Sequence, residues 1–180
     1  MIKERRKNPG VLIPMVSVLK NKGANNPMIL YLVQHGRSLP KESDPERGLT
    51  DLGRVEVEKV ASKAHRVGVR VTKVIHSGKK RALQTAEIFA TYLTPGTKPM
   101  WESGLNPEDN VEVFSETLAE REDLLVVGHL PFMERLASYL VTGSQDKPVI
   151  KFRNGGIVCL EFEEGENTWV IMWAMTPEIS

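Results

Sequence analysis

The chain of 180 residues lacks several features that define whole classes of protein. It has one cysteine, Cys159, so an internal disulfide is excluded and nothing requires an oxidising compartment. This cysteine lies in a strand-like run and is expected to be a small buried residue. The apolar stretch at 11–19 is far shorter than the ~20 residues that span a bilayer, and no other segment qualifies. We therefore predict a cytoplasmic protein without membrane contact.

The chain also lacks a strong net charge, which totals +1. Residues 1–26 hold six cationic side chains against one carboxylate, a charge of +5 that leaves −4 for the remainder. A mildly acidic domain without a clustered basic face is a poor partner for nucleic acid. Nucleic-acid binding is therefore not expected.

Residues 1–27 are predicted to be an N-terminal extension. We interpret it either as a disordered or loosely docked arm or as a result of start-site choice, since Met28 opens the first predicted strand. A secretion signal is disfavoured because Pro14 interrupts the apolar run and lysines follow it. Residues 28–180 contain no repeat and no low-complexity tract, so we predict one continuous domain.

Strand and helix patterns alternate along residues 28–180. Strands are predicted at 28–34, 69–76 and 123–127, and helices at 51–67, 79–93, 109–120 and 131–142. Two further strand patterns, separated by "EEGEN", indicate a C-terminal hairpin. This order predicts a three-layer α/β/α fold, with a mostly parallel central sheet that has an antiparallel edge.

Polar residues stand where the three predicted parallel strands end. His35 follows the first strand, His76 and Ser77 end the second, and His129 follows the third. Ligands of such sheets bind beyond the carboxyl ends of the strands, so these side chains are expected to converge. Arg81 stands at the start of the next helix, where the helix dipole disfavours a cation. A bound anion between the guanidinium and the helix N-terminus would remove this conflict. Two imidazoles, a guanidinium and helix N-termini around one point describe a phosphate site.

A phosphate site of this kind supports a defined chemistry. Neutral imidazole is a good nucleophile near pH 7 and can form a phosphohistidine intermediate. Arg81, His129 and backbone N–H groups would stabilise the charge on the transition-state oxygens. A zinc site built from His35, His129 and a carboxylate is the alternative, and the absence of a His-x-x-x-His pair disfavours it. We therefore predict neither a metal nor a cofactor.

Three motifs resemble those of the histidine phosphatase superfamily, which has the phosphoglycerate-mutase-like fold. The family pattern is a strand ending in "LVRHG", then "SPxxRAxQTA", then "VVGHxP". This chain has "LVQHG" at 32–36, "SGKKRALQTA" at 77–86 and "VVGHLP" at 126–131. By size and motif order the chain is similar to the short bacterial and archaeal phosphohistidine phosphatases.

The resemblance implies roles for the matching residues. His35 matches the phosphoryl-accepting histidine, Arg81 the second-motif arginine and His129 the second phosphate-contacting histidine. Ser77 matches the serine that opens the second motif, and it is expected either to bind phosphate or only to cap the following turn.

The chain departs from the family pattern at Gln34, where the family usually has arginine. Glutamine keeps amide donors but lacks the charge and the bidentate fork of a guanidinium. A lost transition-state donor costs about 2–4 kcal/mol, which weakens a catalyst without abolishing its activity. Arg37, in the turn after Gly36, is a candidate to replace part of the charge, and a solvated loop arginine is the alternative.

Glu102 and Asp109 are the candidates for an acid that protonates the leaving oxygen of a phosphomonoester. Asp109 also fits a helix N-cap. A phosphohistidine substrate relaxes the need for an acid, because its imidazole can leave already protonated. We therefore expect a metal-independent phosphatase that acts on phosphohistidine in a phosphorylated protein.

Two alternatives remain at this point. One is a small phosphomonoesterase of the same superfamily, acting on a small phosphorylated substrate. The other is a weakly active or non-catalytic phosphohistidine-binding module, which Gln34 would favour. The oligomeric state is not predicted.

Overall fold

The computed structural model describes residues 27–120 and 123–178. The predictions for residues 1–26 concern a segment outside the described residues. The helices are α1 Asp51–Arg66, α2 Lys80–Leu93, α3 Val111–Glu116 and α4 Phe132–Thr142, with a short 3-10 helix at Thr117–Glu120. The strands are β1 Ile29–Gln34, β2 Lys73–His76, β3 Met100–Trp101, β4 Leu124–Gly128, β5 Ile157–Glu163 and β6 Thr168–Met175. None of the described helices is long and apolar enough to cross a membrane.

The six strands of the described part form one sheet in the order β3-β2-β4-β1-β5-β6. The first four strands of this order pair in parallel, β5 pairs antiparallel with β1, and β6 completes the hairpin outside β5. This topology confirms the predicted fold class. The two-residue strand β3 is not predicted from the sequence, because only its pairing with β2 defines it.

The central strand β1 is buried on both faces. Leu30 and Leu32 contact the core beneath α3 and α4, whereas Tyr31 and Val33 contact the core beneath α1 and α2. Because helices cover β1 on both faces, its sequence is almost continuously apolar, as is typical of a central strand in a parallel sheet. The second core also contains Cys159, which is buried as predicted.

Helices α1, α2 and α4 follow their sequence patterns. Thr50 Oγ1 accepts the N–H of Gly53 at 2.9 Å, which is the predicted N-cap of α1. Helix α4 is followed by Gly143, whose φ of 71° is the left-handed conformation typical of a glycine C-cap. The predicted apolar face of α2 is buried, and its residues are Ala82, Ala86, Phe89 and Leu93.

The N-cap prediction for Asp109 is wrong. Helix α3 begins at Val111, and the side chain of Asn110 accepts the N–H of Glu112 at 2.8 Å. The carboxylate of Asp109 instead accepts the backbone N–H of Asn106 at 2.7 Å, which closes the turn before the helix. Asparagine and aspartate are both good N-caps, so the sequence "DN" does not decide between them.

The N-terminus of α1 packs closely against the loop that follows β1. The N–H of Thr50 donates to the carbonyl oxygen of Arg37 at 2.9 Å. A Cβ atom on Gly53 would collide with the same oxygen, and a backbone oxygen cannot rotate away as a side chain can. The absence of a side chain at Gly53 therefore lets α1 approach the residues next to His35.

We expect Gly53→Ala to lower the free energy of unfolding by about 1–3 kcal/mol, the usual cost of overpacking, although alanine is the better helix former. Gly165→Ala is the matched control, since Gly165 lies in the hairpin turn and a Cβ there would have no heavy atom within 4 Å. Urea unfolding followed by circular dichroism measures both variants. A Gly53→Ala protein as stable as the parent would contradict the close contact.

Candidate active site

Three adjacent strands of the sheet end at the same place. His35, Ser77 and His129 directly follow β1, β2 and β4, and β4 pairs in parallel with the other two strands. The ring centroids of His35 and His129 are 4.9 Å apart. A hydrogen bond of 2.5 Å joins Ser77 Oγ to Nε2 of His129. The structure therefore brings together these three residues, as the sequence predicts.

The backbone around His35 fixes the orientation of its ring. Nδ1–H donates to the carbonyl oxygen of Gly36 at 2.7 Å, so Nε2 keeps its lone pair. This lone pair accepts a hydrogen bond from Arg81 Nε at 3.1 Å. The main chain of His35 is held by the carbonyl of Gly128 and by Nδ2 of Asn154, which donates to the His35 carbonyl at 3.0 Å. The His35 ring therefore has a single tautomer, and its unprotonated Nε2 points at the guanidinium of Arg81.

Thr85 connects the β1 loop to the helix that carries Arg81. Its hydroxyl donates to the carbonyl oxygen of Arg81 at 2.7 Å and accepts the N–H of Gly36 at 3.0 Å. A side chain at Gly36 would not fit, because its Cβ would lie 2.7 Å from Val57 Cγ2. The glycine after His35 is therefore required for the close approach of the loop, α1 and α2.

Both site imidazoles are neutral near pH 7. The pKa of His35 is lowered to about 4, mainly by burial and to a smaller extent by the positive charges of Arg81 and Arg47. Burial likewise lowers the pKa of His129 to about 3, with additional effects of His35, Arg81 and Lys79. The hydrogen bond to the Gly36 carbonyl acts in the opposite direction on His35, since it favours the cationic ring. A neutral His35 has the lone pair that a nucleophile needs.

Two buried polar atoms at the site have no hydrogen-bond partner among the described residues. They are Oε1 of Gln34 and Nδ1 of His129. Buried polar groups are normally hydrogen-bonded, and an exception calls for an explanation. Gln34 precedes His35 in the chain and the His129 ring lies 4.9 Å from the His35 ring, so both unpartnered atoms belong to residues next to His35.

The remaining predicted residues differ in their surroundings. Arg37 was one candidate to replace the charge lost at Gln34. Its Nε lies 2.8 and 3.1 Å from the two carboxylate oxygens of Glu56, which pairs with this charge instead. The alternative cap role of Ser77 is not observed, since α2 has its N-cap at Lys79 without a side-chain hydrogen bond. Ser77 contacts His129 instead.

The two candidate acids also lie in different places. Glu102 follows β3, and its backbone N–H donates to the carbonyl of His76 at 3.0 Å, next to Ser77. Its side chain is half-buried. The carboxylate of Asp109 is used in its own turn by Asn106. Glu102 is therefore the acid that lies at the same edge of the sheet as the two histidines.

Sequence reasoning missed Arg47, Asn154 and Thr85. Arg47 and Asn154 line, with His35, an open cleft of about 570 Å³. Neither residue shows a periodic signal, although Asn154 stands before the glycine pair that opens β5. Thr85 belongs to the second motif, and its hydroxyl contacts become visible only when β1 and α2 are packed together.

A zinc site receives no support from the arrangement of side chains. Within the described ranges, no group of three or more His, Cys, Asp or Glu residues is placed to hold a metal ion. The two histidines instead face a serine and an arginine. This donor set is suited to an oxyanion.

Comparisons with known proteins agree with this geometry. Residues 30–106 match the family model of the histidine phosphatase superfamily, branch 1. An uncharacterised protein of Picosynechococcus sp. is 29% identical over 141 residues, which cover 74% of this chain and 84% of that protein.

Two solved structures show the same fold. The protein histidine phosphatase SixA, in complex with tungstate, superposes with a TM-score of 0.73 and 26% identity, covering 83% of this chain and 97% of that chain. A mycobacterial glucosyl-3-phosphoglycerate phosphatase superposes with a TM-score of 0.64 and 14% identity, covering 82% and 98%. These comparisons confirm the predicted fold and the resemblance to the histidine phosphatase superfamily.

The lowered pKa values predict how the two imidazoles titrate. The Cε1–H signals of His35 and His129 should shift near pH 4 and pH 3, below the ordinary value of 6.5. NMR titration of the folded protein measures this directly, with His35→Gln and His129→Gln to assign the signals. Midpoints at the ordinary value for both rings would contradict the buried, neutral site.

The same shifts predict a loss of stability in acid. The unfolded chain protonates these rings near pH 6.5, so it binds more protons than the folded chain as the pH falls from there to about 4. The free energy of unfolding should therefore decrease across this range. His129→Gln should show a smaller decrease in urea titrations, and an identical slope in parent and variant would contradict the linkage.

Proposed function

We propose that this chain, part of which matches the family model of the histidine phosphatase superfamily, is a phosphatase of that superfamily and hydrolyses phosphohistidine in proteins through a covalent phosphoryl intermediate on His35. The observation that carries the proposal is the state of this residue. Its Nδ1–H is held by the Gly36 carbonyl, and its Nε2 keeps a lone pair 3.1 Å from Arg81 Nε. A fixed, uncharged imidazole beside a guanidinium is arranged as a nucleophile for phosphorus.

In the first step, Nε2 of His35 attacks the phosphorus atom of the substrate in line with the bond to the substrate imidazole. The N–P bond of the substrate breaks as the new N–P bond forms, and the leaving nitrogen takes the electron pair. The substrate imidazole leaves as a neutral molecule when its other nitrogen already carries a proton. This step therefore needs no strong acid at the leaving atom.

In the second step, water attacks the phosphorus atom on His35 and releases inorganic phosphate. The N–P electron pair returns to Nε2, and the proton of the water passes to phosphate or solvent. Before this step the phosphorylated ring has cationic character. The carbonyl of Gly36 stabilises that state, because its hydrogen bond to Nδ1–H favours the cationic form of the ring.

Arg81 and His129 are the proposed donors to the phosphoryl oxygens. Arg81 Nε would move its hydrogen bond from Nε2 of His35 to a phosphoryl oxygen as the lone pair attacks. Nδ1 of His129 would donate when it carries the ring proton, and this would satisfy a buried atom that otherwise lacks a partner. We assign Ser77 the role of positioning the His129 ring.

Gln34 would take part with its amide. A half-turn of the terminal amide exchanges the buried Oε1 for N–H donors in the same place. These donors carry no charge, so we expect a cost of about 2–4 kcal/mol relative to arginine. The site would remain catalytic because Arg81 is retained.

Two observations support phosphohistidine as the substrate class. The structural relative with 26% identity is a protein histidine phosphatase that binds tungstate, an oxyanion similar to phosphate. The cleft in front of His35 is open, so a side chain carried on the surface of another protein can enter it. A phosphorylated protein is therefore the proposed partner.

A small phosphomonoesterase is the second candidate, and Glu102 is the observation that favours it. The backbone of this residue pairs with the end of β2, and its carboxyl group would protonate an alkoxide leaving group. The mycobacterial phosphatase, whose name specifies a sugar phosphate substrate, shares the fold.

Hydrolysis of a phosphohistidine peptide, measured in excess EDTA beside para-nitrophenyl phosphate, tests the main proposal. We expect the parent to release phosphate from the peptide and His35→Ala to lose this activity. Gln34→Arg should be faster than the parent, by up to roughly 10²-fold, because it adds a charged donor.

The same assay separates catalysis from binding. A parent that binds the peptide without turnover, with activity gained only in Gln34→Arg, would identify a phosphohistidine-binding module instead. Unchanged turnover in His35→Ala would exclude this residue as the nucleophile. Activity that is lost with EDTA and restored by a divalent metal would contradict the metal-independent mechanism.

Glu102→Gln distinguishes the two substrate classes. With phosphohistidine peptide we expect less than about a threefold change, because the leaving imidazole needs no acid. With phosphoserine, whose alkoxide is a poor leaving group, any activity should fall by about 10²-fold or more. Asp109→Asn is the control, since this carboxylate acts in its own turn. An equal loss on both substrates would contradict phosphoamidate hydrolysis without a general acid.

A further inference from the structure

The loop between β1 and α1 carries a second arginine into the cleft of His35. Arg47 and His35 both line this cleft. The backbone of Arg47 has a φ of 56°, a left-handed conformation that residues with a side chain rarely adopt. Such conformations persist where the surrounding structure holds them, and they are frequent at functional sites.

Several contacts hold the loop of Arg47 in place. The carboxylate of Asp44 accepts the N–H of Gly48 at 2.8 Å and the N–H of Glu46 at 3.0 Å. Lys80, at the start of α2, forms salt bridges with Asp44 at 3.2 Å and with Glu46 at 3.1 Å.

A further contact fixes the loop to the same helix one turn later. Leu49 N–H donates to Gln84 Oε1 at 2.7 Å. Lys80 directly precedes Arg81 in the chain, and Gln84 follows Arg81 about one turn later along α2. The loop of Arg47 is therefore positioned by the helix that also carries Arg81.

The positive charge of Arg47 affects the pKa values of three groups at the site. Its guanidinium lowers the pKa of His35, of His129 and of Arg81, after the effect of burial in each case. A single cation that acts on all three groups lies near the point on which they converge. That point is where the phosphoryl group is proposed to bind.

The charge of Arg47 is also available for a ligand. Among the described residues, no carboxylate lies within salt-bridge distance of Arg47, and its Nε makes one long hydrogen bond of 3.4 Å to the carbonyl of Leu39. Arg37, the other arginine of the cleft, is paired with Glu56. Gln34 contributes no charge. Arg47 is therefore the cation in the cleft that remains to be matched by an anion.

We propose that Arg47 is a further phosphate-binding residue of this site and supplies the positive charge that Gln34 does not. The inference rests on the proposed function, because it names an additional group for the same phosphoryl site. The Arg47 guanidinium lines the cleft of His35 and from there contacts the phosphoryl oxygens. Arg47 thereby compensates for Gln34, which ends β1, from the loop that follows this strand.

Binding of inorganic phosphate and of tungstate, measured by isothermal titration calorimetry, tests the inference without turnover. Arg47→Gln should weaken the binding of both oxyanions by about 10- to 100-fold, the range expected for a lost hydrogen bond to a charged group. Arg47→Lys should retain part of the affinity. Arg66→Gln, an exposed arginine in the last turn of α1, is the matched control and should bind as the parent does.

Two further readouts separate a charge effect from a structural effect. Arg47→Gln should raise the pKa values of His35 and His129 in the NMR titration, because a nearby positive charge is removed. In a Gln34→Arg background, the same substitution should cost at least about tenfold less in phosphate affinity, since two groups that share a role are not additive. Equal costs in both backgrounds would contradict the compensation.

The outcomes distinguish the inference from the proposed function. Phosphate binding that depends on Arg47, without hydrolysis of the phosphohistidine peptide, would overturn the proposed reaction and leave the inference standing. Arg47→Gln with the phosphate affinity of the parent would overturn the inference, whatever the turnover. A parent that binds neither oxyanion would overturn the inference, and if it also failed to hydrolyse the peptide it would overturn the proposed reaction as well.

Discussion

The hydrogen bond from Nδ1–H of His35 to the carbonyl of Gly36 is the interaction on which the site depends. At 2.7 Å it fixes one tautomer, and it thereby leaves the lone pair on Nε2, which faces Arg81. Burial keeps the ring uncharged, whereas the carbonyl favours the cationic form. These two opposing effects suit a residue that is proposed to begin as a neutral nucleophile and to become a cationic phosphoryl carrier.

The fold supplies this interaction through close packing at the end of β1. Gly36 has no room for a side chain beside Val57, and its N–H is bound by Thr85. Gly53 allows α1 to press against the same loop. Helix α2 also positions the positive charge of the site. It carries Arg81, and its residues Lys80 and Gln84 hold the loop of Arg47 in place. A neutral residue at position 34 is therefore compatible with the proposed phosphate site.

Much of the fold was predictable because burial on two faces leaves a clear pattern. β1 and β4 are apolar along their length, and α2 repeats its apolar residues at helical spacing. The failures are local: the cap of α3 depends on which of two adjacent residues turns inward, and β3 exists only through pairing with β2. His35, Ser77, Arg81 and His129 were identifiable from their motifs, although their catalytic roles remain predictions. Arg47 and Asn154 were not, because contacts between residues far apart in sequence bring them to His35.

The central claim is that His35 carries the phosphoryl group during turnover. The most direct test is rapid mixing of the protein with a ³²P-phosphohistidine peptide, an alkaline quench that preserves phosphoramidates, and peptide mapping of the labelled protein. The account predicts transient label on the peptide that contains His35, formed at a rate compatible with turnover and absent from His35→Ala. Release of phosphate without labelled protein, or label on another residue that persists in His35→Ala, would contradict it.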